Sequence, residues 1–467
     1  MIEPAQTTSL PVEPHEGIAP VAVADRVDAA HLVAGSLRAT ILSVAAPAVA
    51  SSLLMTLFSS VDAFWVGTRI GAAGLAAVST SLFWIWMIIS LAEMVGVGLT
   101  AVAARRHGEL RATEAARLAG DALAFSIVLG LIVAAIGTSQ LDSLFRVMHT
   151  PADVTALGRR YLRTYLLGTP LIYGFFAVDA SFRASGDTRT PFVLLLSSVL
   201  VTLVLDPLLI LGIGPFPRLG IAGAAIATVG TRGVVCVLGA VISARRNLMR
   251  LGRIRAESIR AVCRVGLPTA MTGVTFSVIY VVLTRTTTRF GTPALAALGI
   301  GHRVESWLFM IGVGFGAATA AIVGQNLGAG RAGRAERAGW IATGFCTMLG
   351  VVACALELGI PREFASLFTN DSAVIAEAVK YLRIASISQL AVCAEVVLEG
   401  ALGGAGETVP PMITSTALTA SRIPLAGWAA NRWGSAGIWW VISLTAIGRG
   451  MAMAALWRHG RWKRRRI

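Results

Sequence analysis

The sequence predicts an all-α polytopic membrane protein, because long apolar runs recur along the whole chain and charge is scarce. Of 467 residues, 55% are hydrophobic and 14% are charged, and the mean hydropathy is +0.72. A soluble domain carries about 25% charged residues, so this chain has too few polar side chains to cover soluble domains of its length. In lipid, only helices and closed barrels satisfy their backbone hydrogen bonds, and apolar runs of about 20 residues or more indicate helices.

Twelve such runs are bounded by charged or turn residues, so we expect about twelve transmembrane helices, named helix 1 to helix 12. Several are long enough to tilt or to extend beyond the membrane. The predicted spans are, in order, 40–67, 72–104, 112–139, 153–182, 190–213, 221–244, 258–284, 292–326, 334–360, 372–402, 409–430 and 436–457.

The basic residues predict the orientation of the chain. An even number of helices places both termini on one side, and the main arginine clusters fall on that side, which the positive-inside rule identifies as the cytoplasm. We therefore assign the formal net charge of +15 to orientation and contact with anionic lipids, and not to nucleic-acid binding. Residues 1–37 are expected to form a disordered cytoplasmic tail, 245–257 a basic cytoplasmic linker and 458–467 a basic cytoplasmic tail.

An internal repeat divides the helices into two halves. DASFRASGDTRTP from Asp179 aligns with EGALGGAGETVPP from Glu399, an offset of 220 residues, and two further segments align at the same offset. Two halves of six helices share one orientation, so we expect a pseudo-two-fold axis along the membrane normal, the parallel-repeat arrangement of several transporters. The first lobe is predicted at residues 38–244 and the second lobe at 258–457.

Two aspartates of the first lobe are the main candidates for a functional site. An ionisable group at the membrane centre costs about 2.5–3.5 kcal/mol on insertion scales, so acids retained there are candidates for function. Asp62 in helix 1, Asp206 in helix 5 and Thr228 in helix 6 lie one to two turns inside the outer ends of their helices, and Thr202 lies one turn before Asp206. Carboxylates with neighbouring hydroxyl and carbonyl oxygens can bind sodium or share a proton. Alternatively, both aspartates are structural groups.

Three prolines are candidate hinges. Pro47 in helix 1 and Pro268 in helix 7 occupy equivalent places in the repeat, and Pro207 directly follows Asp206 in helix 5. Each proline removes one backbone hydrogen bond, so we expect the three helices to bend there.

The second lobe has its own charged residues near mid-membrane. We expect Glu305 and Glu395 either to line a cavity or to pair with Arg303. His302 is expected to be a polar cavity residue, since no second histidine or cysteine lies at metal-ligand spacing. No metal ion is expected beyond sodium at the first-lobe site.

Several motifs, in this order, resemble the multidrug and toxic compound extrusion (MATE) transporters. They are PAVASSLLMTLFSSVDAFWVG in helix 1, FRASGDTRTP after helix 4, LDPLLILG in helix 5, GIAGAAIAT in helix 6 and IGHRVESWLFMIGVGFGAATAAIVGQNLGAG in helix 8. The resemblance covers residues 38–457 and is closer to the branch named for DNA-damage-inducible protein F than to the NorM branch. Phe276 and Val392 stand where the NorM branch has acids. The resemblance implies two lobes in a V shape around a central cavity that opens to each side in turn.

The resemblance also implies a cation site in the first lobe. The family positions carry over to Asp62, Asp206, Ala224 and Thr228, while Thr202 stands where the family has an asparagine. Loss of that amide weakens the case for sodium and modestly favours protons. At the repeat offset Asp62 aligns with Val282, so the second lobe lacks this acid.

The sequence therefore predicts a secondary active antiporter, a monomer in the bacterial inner membrane. It would export organic, cationic or amphipathic compounds in exchange for protons or sodium, with membrane lipids as its other partners and no cofactor. A lipid-linked oligosaccharide flippase of the same superfamily is the alternative, although few cations fall near mid-membrane. An enzyme is not expected, since no HExxH or GxSxG motif falls within the helices.

Overall fold

The computed structural model describes residues 32–70, 72–147 and 152–465, and its regular elements over these ranges are helices. Most of the predicted N-terminal tail (residues 1–31) and the last two residues of the chain lie outside them. Eight segments are long and apolar enough to cross a membrane, and two bent helix pairs bring this number to ten. The predicted all-α membrane fold is therefore confirmed.

The twelve predicted helices can all be identified. One of the apolar segments, Ala256–Gly328, contains both helix 7 and helix 8, which the 3-10 turn Thr288–Phe290 separates. Helix 11 is divided at Ser421 into two short halves. The nine unbroken helices within the described ranges are helix 1 (Leu37–Ile70), 2 (Ala72–Gly108), 3 (Ala112–Ser139), 5 (Arg189–Leu211), 6 (Ile221–Arg245), 7 (Ala256–Thr287), 8 (Gly291–Gly328), 9 (Ala332–Gly359) and 12 (Ser435–His459).

Helices 4, 10 and 11 are broken, whereas the apolar runs predicted single helices. Helix 4 bends by 49° and helix 10 by 57°. Pro170 and Pro424 lie in the first turn of the second halves of helices 4 and 11, where a proline cannot continue the preceding helix. At the bend of helix 10, the Ser388 hydroxyl donates to the carbonyl of Ala385 at 2.7 Å and competes with the helical backbone bonds. The paired segments are Ala152–Leu167 with Thr169–Ser185, Ser372–Ser386 with Gln389–Gly404, and Val409–Ala420 with Arg422–Trp433.

The two halves of the chain repeat the same order of elements. Helices 3 and 9 are each 28 residues long and begin at Ala112 and Ala332. Each is followed by a short helix, Leu141–Val147 in the first half and Pro361–Ser366 in the second. The next helix is bent in both halves. These elements keep the offset of 220 residues, as the sequence repeat predicts.

Helices 1 and 7 cross between the lobes. The first half of helix 1 packs with the second lobe, where Ile41 and Val44 share a buried cluster with Leu308 and Phe315. The first half of helix 7 packs in the core of the first lobe, whose buried cluster includes Val262 and Val265. The exchange is symmetrical, since these residues of helices 1 and 7 are related by the repeat. The predicted lobes, 38–244 and 258–457, therefore follow the repeat but not the packing.

Glycines allow the crossing helices to touch backbone to backbone. A side chain on Gly98 of helix 2 would overlap the carbonyl oxygen of Val262 in helix 7, and one on Gly266 of helix 7 would overlap that of Met94 in helix 2. Gly108 and Gly328 make the corresponding contacts between helices 2 and 8. Small residues permit such close approach within a membrane, where packing takes the place of the hydrophobic effect.

Both ends of the described chain lie on one face of the bundle, which we call the terminal face. Near the N-terminal end, Arg331 Nη1 donates to the carbonyl oxygen of Val33 at 2.8 Å. Near the C-terminal end, Lys463 Nζ pairs with Glu336 Oε2 at 2.7 Å. Both contacts involve the first turns of helix 9. The final residues of the predicted 1–37 tail are thus bound to the helices from Leu32 onward.

The predicted linker, 245–257, also has defined contacts. The Arg250 backbone N–H donates to Ala116 O at 2.8 Å, and Arg255 Nε pairs with the buried carboxylate of Asp121 at 3.0 Å. Both partners belong to helix 3. The linker therefore lies against the terminal face of the first lobe.

We expect Gly98→Ala to destabilise the protein by about 1–3 kcal/mol, the usual effect of extra atoms in a packed core. The added methyl group would push helix 7 away from helix 2. Thermal unfolding in detergent, followed by tryptophan fluorescence, measures the effect. Gly344→Ala is the matched control, because no atom lies within 4 Å of the added carbon there. Equal stability of the two variants would contradict the close contact.

Candidate functional site

The predicted cation site is built on helices 5 and 6, which pack antiparallel in the first lobe. The hydroxyls of Thr202 and Thr231 lie 2.8 Å apart and share a hydrogen bond. Two turns further along, Gly223 of helix 6 packs against the backbone of Leu209 in helix 5. This register places Asp206 opposite the turn of helix 6 that contains Thr228. The structure thus brings these predicted residues to one level of the helix pair.

The residues of this pair are fully removed from solvent and lipid. Asp206 and Ala224 are 0% exposed, and Thr202 and Thr228 are also buried. Thr228 Oγ1 has no hydrogen-bond partner among the described residues. A buried polar group costs free energy unless it is bonded, so a hydroxyl of this kind is suited to a ligand that arrives later.

Helix 1 brings Asp62 to the same depth. Helices 1 and 5 both run away from the terminal face, and Thr188 Oγ1 donates to the carbonyl of Val44 at 2.8 Å. Positions 62 and 206 each lie 18 residues beyond this contact, so equal helical rise places them at similar depth. The backbone of Asp62 belongs to helix 1, and its side chain lies outside the described part of the structure.

The three candidate hinge prolines lie within helices that continue on both sides. Pro47 is inside helix 1, Pro207 inside helix 5 and Pro268 inside helix 7. One turn later, Ser51 and Thr272 donate to the carbonyls of Pro47 and Pro268 at 3.0 and 3.1 Å. The repeat has therefore kept the environment of these two prolines, and bending at all three stays a prediction.

In the second lobe, the acids have partners other than the predicted Arg303. Glu305 Oε2 accepts from the Tyr381 hydroxyl at 3.0 Å and lies 3.8 Å from His302 Nδ1. Glu395 Oε1 pairs with Arg449 Nη1 at 3.0 Å, and both side chains are nearly buried. Arg303 is exposed, and no acid of the described chain lies within ion-pair distance of it. The expected pairing with Arg303 is therefore wrong, because helices 10 and 12 present Tyr381 and Arg449 to the acids.

Arg422 is a buried cation with neutral hydrogen-bond partners. Its Nε donates to Thr445 Oγ1 at 2.7 Å and its Nη2 to the carbonyl of Ile442 at 3.3 Å. Glu357 is likewise buried, and both of its oxygens accept from Gln389 Nε2, at 2.9 and 3.0 Å. The polar groups of the second lobe are thus largely bonded to one another.

The sequence analysis missed Glu93 of helix 2, although it is the single acid in that apolar run. Glu93 is exposed at the boundary between the lobes, and it lies within electrostatic reach of Arg183 in helix 4 and Glu399 in helix 10. Arg183 forms an ion pair with Asp179 at 2.8 Å. Thr231 and Arg449 were also missed, although each is a polar residue within an apolar run.

We expect Arg449→Gln to destabilise the protein strongly, by about 3–5 kcal/mol, because it leaves the buried Glu395 carboxylate without its positive partner. The double variant Glu395→Gln with Arg449→Gln should recover part of this loss. Thermal unfolding in detergent gives the coupling between the two positions. Arg458→Gln, an exposed site on the same helix, serves as the control. A double variant no more stable than Arg449→Gln alone would show that the pair is unimportant.

Comparison with known proteins identifies the family. The family described as MatE matches residues 47–208 and 268–428, one block in each half. The probable multidrug resistance protein NorM of Thermotoga maritima is 28% identical over 447 residues, covering 92% of this chain and 94% of that protein. The FAD transporter of Shewanella oneidensis is 28% identical over 349 residues, covering 74% and 77%.

Solved structures share the fold. A transporter of the MOP superfamily from Pyrococcus furiosus superposes with a TM-score of 0.86 at 21% identity, covering 94% of this chain and 99% of that one. A MATE structure in the straight conformation gives 0.84 at 23% identity, covering 93% and 97%. The named relatives are transporters rather than enzymes, and they favour an exporter over a flippase. The chain belongs to the MatE family of multidrug efflux transporters and is a multi-pass membrane protein.

Proposed function

We propose that the protein is a secondary active antiporter that exports organic, cationic or amphipathic compounds in exchange for protons or sodium. The observation that supports this most directly is the burial of Asp206, which is 0% exposed, at the depth of Asp62. Two carboxylates in an apolar lobe are poorly solvated when charged. A cation taken up from one side of the membrane neutralises them, and its loss restores the charge.

Antiport follows when cation and compound weaken each other's binding. By linkage, a compound that lowers the affinity for the cation must itself be bound less tightly when the cation is present. Helix 1 connects the two events, since it carries Asp62 in one half and packs with the second lobe in the other. Cation uptake would change the bend of helix 1 at Pro47 or of helix 5 at Pro207.

The contacts at the terminal face support an outward-facing state for this structure. Helices 2, 7 and 8 touch there through glycines, and the C-terminal segment binds both lobes. Arg105 Nη1 in helix 2 donates to the carbonyl of Arg465 at 2.7 Å, and Arg465 Nε lies 3.5 Å from Glu407 in the second lobe. These contacts would have to break before a compound could enter from the terminal side.

The bonding of Thr202 favours protons as the coupling ion. Its hydroxyl donates to the carbonyl of Ser198 at 2.8 Å and shares a bond with Thr231 at 2.8 Å. A hydroxyl with two partners has little capacity left to coordinate sodium. We therefore favour protons, with sodium as the alternative.

We expect Asp62→Asn and Asp206→Asn each to abolish gradient-driven export while the protein remains folded and inserted. The amide keeps the volume of the side chain but cannot take up a proton or balance a cation. Dye export from everted vesicles, with proton and sodium gradients imposed separately, measures the effect. Asp142→Asn is the control, since that carboxylate is exposed and pairs with Arg159. Full export by either site variant would mean that the aspartates are structural.

We further propose that the terminal face lies in the cytoplasm of a bacterium, with the protein a monomer in the inner membrane. The arginines of the linker and of the start of helix 9 lie on this face, as the positive-inside rule requires. Reporter fusions should show both termini to be cytoplasmic. A C-terminus outside the cell would contradict this orientation.

A further inference from the structure

Arg232 of helix 6 is a buried cation in the first lobe. The residue is only 7% exposed, and its Nη1 has no hydrogen-bond partner among the described residues. Its Nη2 lies 3.4 Å from the sulfur of Met55, which is a weak acceptor, and the guanidinium lies 5.9 Å from the ring centre of Phe58. Both contacts are to helix 1. These neutral partners stabilise a buried guanidinium only partly.

The guanidinium lies close to the level of the two aspartates. Side chains of a helix lean toward its N-terminus, and helix 6 begins on the face opposite the terminal face. The long side chain of Arg232 therefore extends toward Thr228, one turn earlier on the same side of the helix. Thr228 lies opposite Asp206, and its hydroxyl is also without a partner in the described chain.

The charges of helices 1, 5 and 6 form a simple set. Apart from arginines at the helix ends, these three helices contain only Asp62, Asp206 and Arg232 as charged residues. Two negative charges and one positive charge leave a single negative charge, and one monovalent cation would neutralise it. Isolated charge is costly in an apolar lobe, so the set is stable as a whole only when one cation is bound.

We infer that Arg232 is a built-in counter-charge that limits the coupling site to one monovalent cation. The inference rests on the function proposed above and adds the stoichiometry of the exchange. With the cation bound, the guanidinium remains against Met55 and Phe58, as it is here. When the cation leaves, the aspartates attract the guanidinium and draw it away from helix 1. Arg232 is thus a positioning residue that connects the charge of the site to helix 1.

Charged groups on neighbouring helices leave this balance intact. Helix 4 contributes Asp179 and Arg183, which pair with each other at 2.8 Å. Arg159, Arg160 and Arg163 lie in the first half of helix 4, and Arg159 pairs with Asp142. Helix 2 contributes Glu93, which is nearest to Arg183 and Glu399. The next charges along helices 1 and 5 are terminal arginines, Arg38, Arg69 and Arg189.

The test is the cation dependence of transport by Arg232→Gln in proteoliposomes. Removal of the positive charge leaves two unbalanced aspartates, so the cation concentration for half-maximal transport should fall about tenfold. The Hill coefficient for the cation should rise from about one toward two. Arg232→Lys keeps the charge and should retain the wild-type midpoint within about twofold. Arg69→Gln is the matched control, because that arginine is exposed at the end of helix 1 beside Trp65.

A double variant keeps the test valid if Arg232→Gln does not fold. Asp206→Asn combined with Arg232→Gln restores the single net negative charge, so it should fold better than Arg232→Gln alone and bind one cation per protein. An Arg232→Gln variant with an unchanged midpoint and Hill coefficient would overturn the inference, and so would a double variant that gains no stability. If wild-type transport did not depend on any cation gradient, the proposed antiport itself would fail instead.

Discussion

The close contact of helices 2, 7 and 8 at the terminal face is the constraint on which the rest of the structure depends. In lipid, helices gain no hydrophobic free energy by associating, so contact area and polar bonds must hold them. At Gly98 and Gly266 the helix backbones themselves touch. This contact fixes the two lobes relative to each other on one side of the membrane, and on the other side it leaves helices 1 and 2 free of comparable contacts.

Because helices 1 and 7 cross over, each lobe contains part of the other's repeat. Helix 1 packs with the second lobe before Pro47 and with helices 5 and 6 of the first lobe near Met55 and Phe58. A change of charge beside Arg232 therefore acts on an element that also belongs to the second lobe. Communication between the cation site and the lobe boundary needs no longer pathway than helix 1 itself.

The sequence was sufficient for the helix count, the repeat and the members of the helix 5 and helix 6 cluster, because a lone polar residue in an apolar run is conspicuous. It was not sufficient for the crossing of helices 1 and 7, because these helices are apolar on all sides and no polar face indicates their neighbours. The bends at Pro170 and Pro424 were readable in principle. The partners of Glu305 and Glu395, Tyr381 and Arg449, depend on packing between distant helices.

The two lobes treat their buried charges differently, and this difference locates the coupling. In the second lobe, Glu395 is balanced by Arg449, and Glu305 and Glu357 are bonded to Tyr381 and Gln389. Such pairs are satisfied without any ligand. In the first lobe, helices 1, 5 and 6 carry one more negative than positive charge. A lobe whose charges balance only with a ligand responds to an ion gradient, whereas one whose groups are already bonded provides a fixed surface against which it moves.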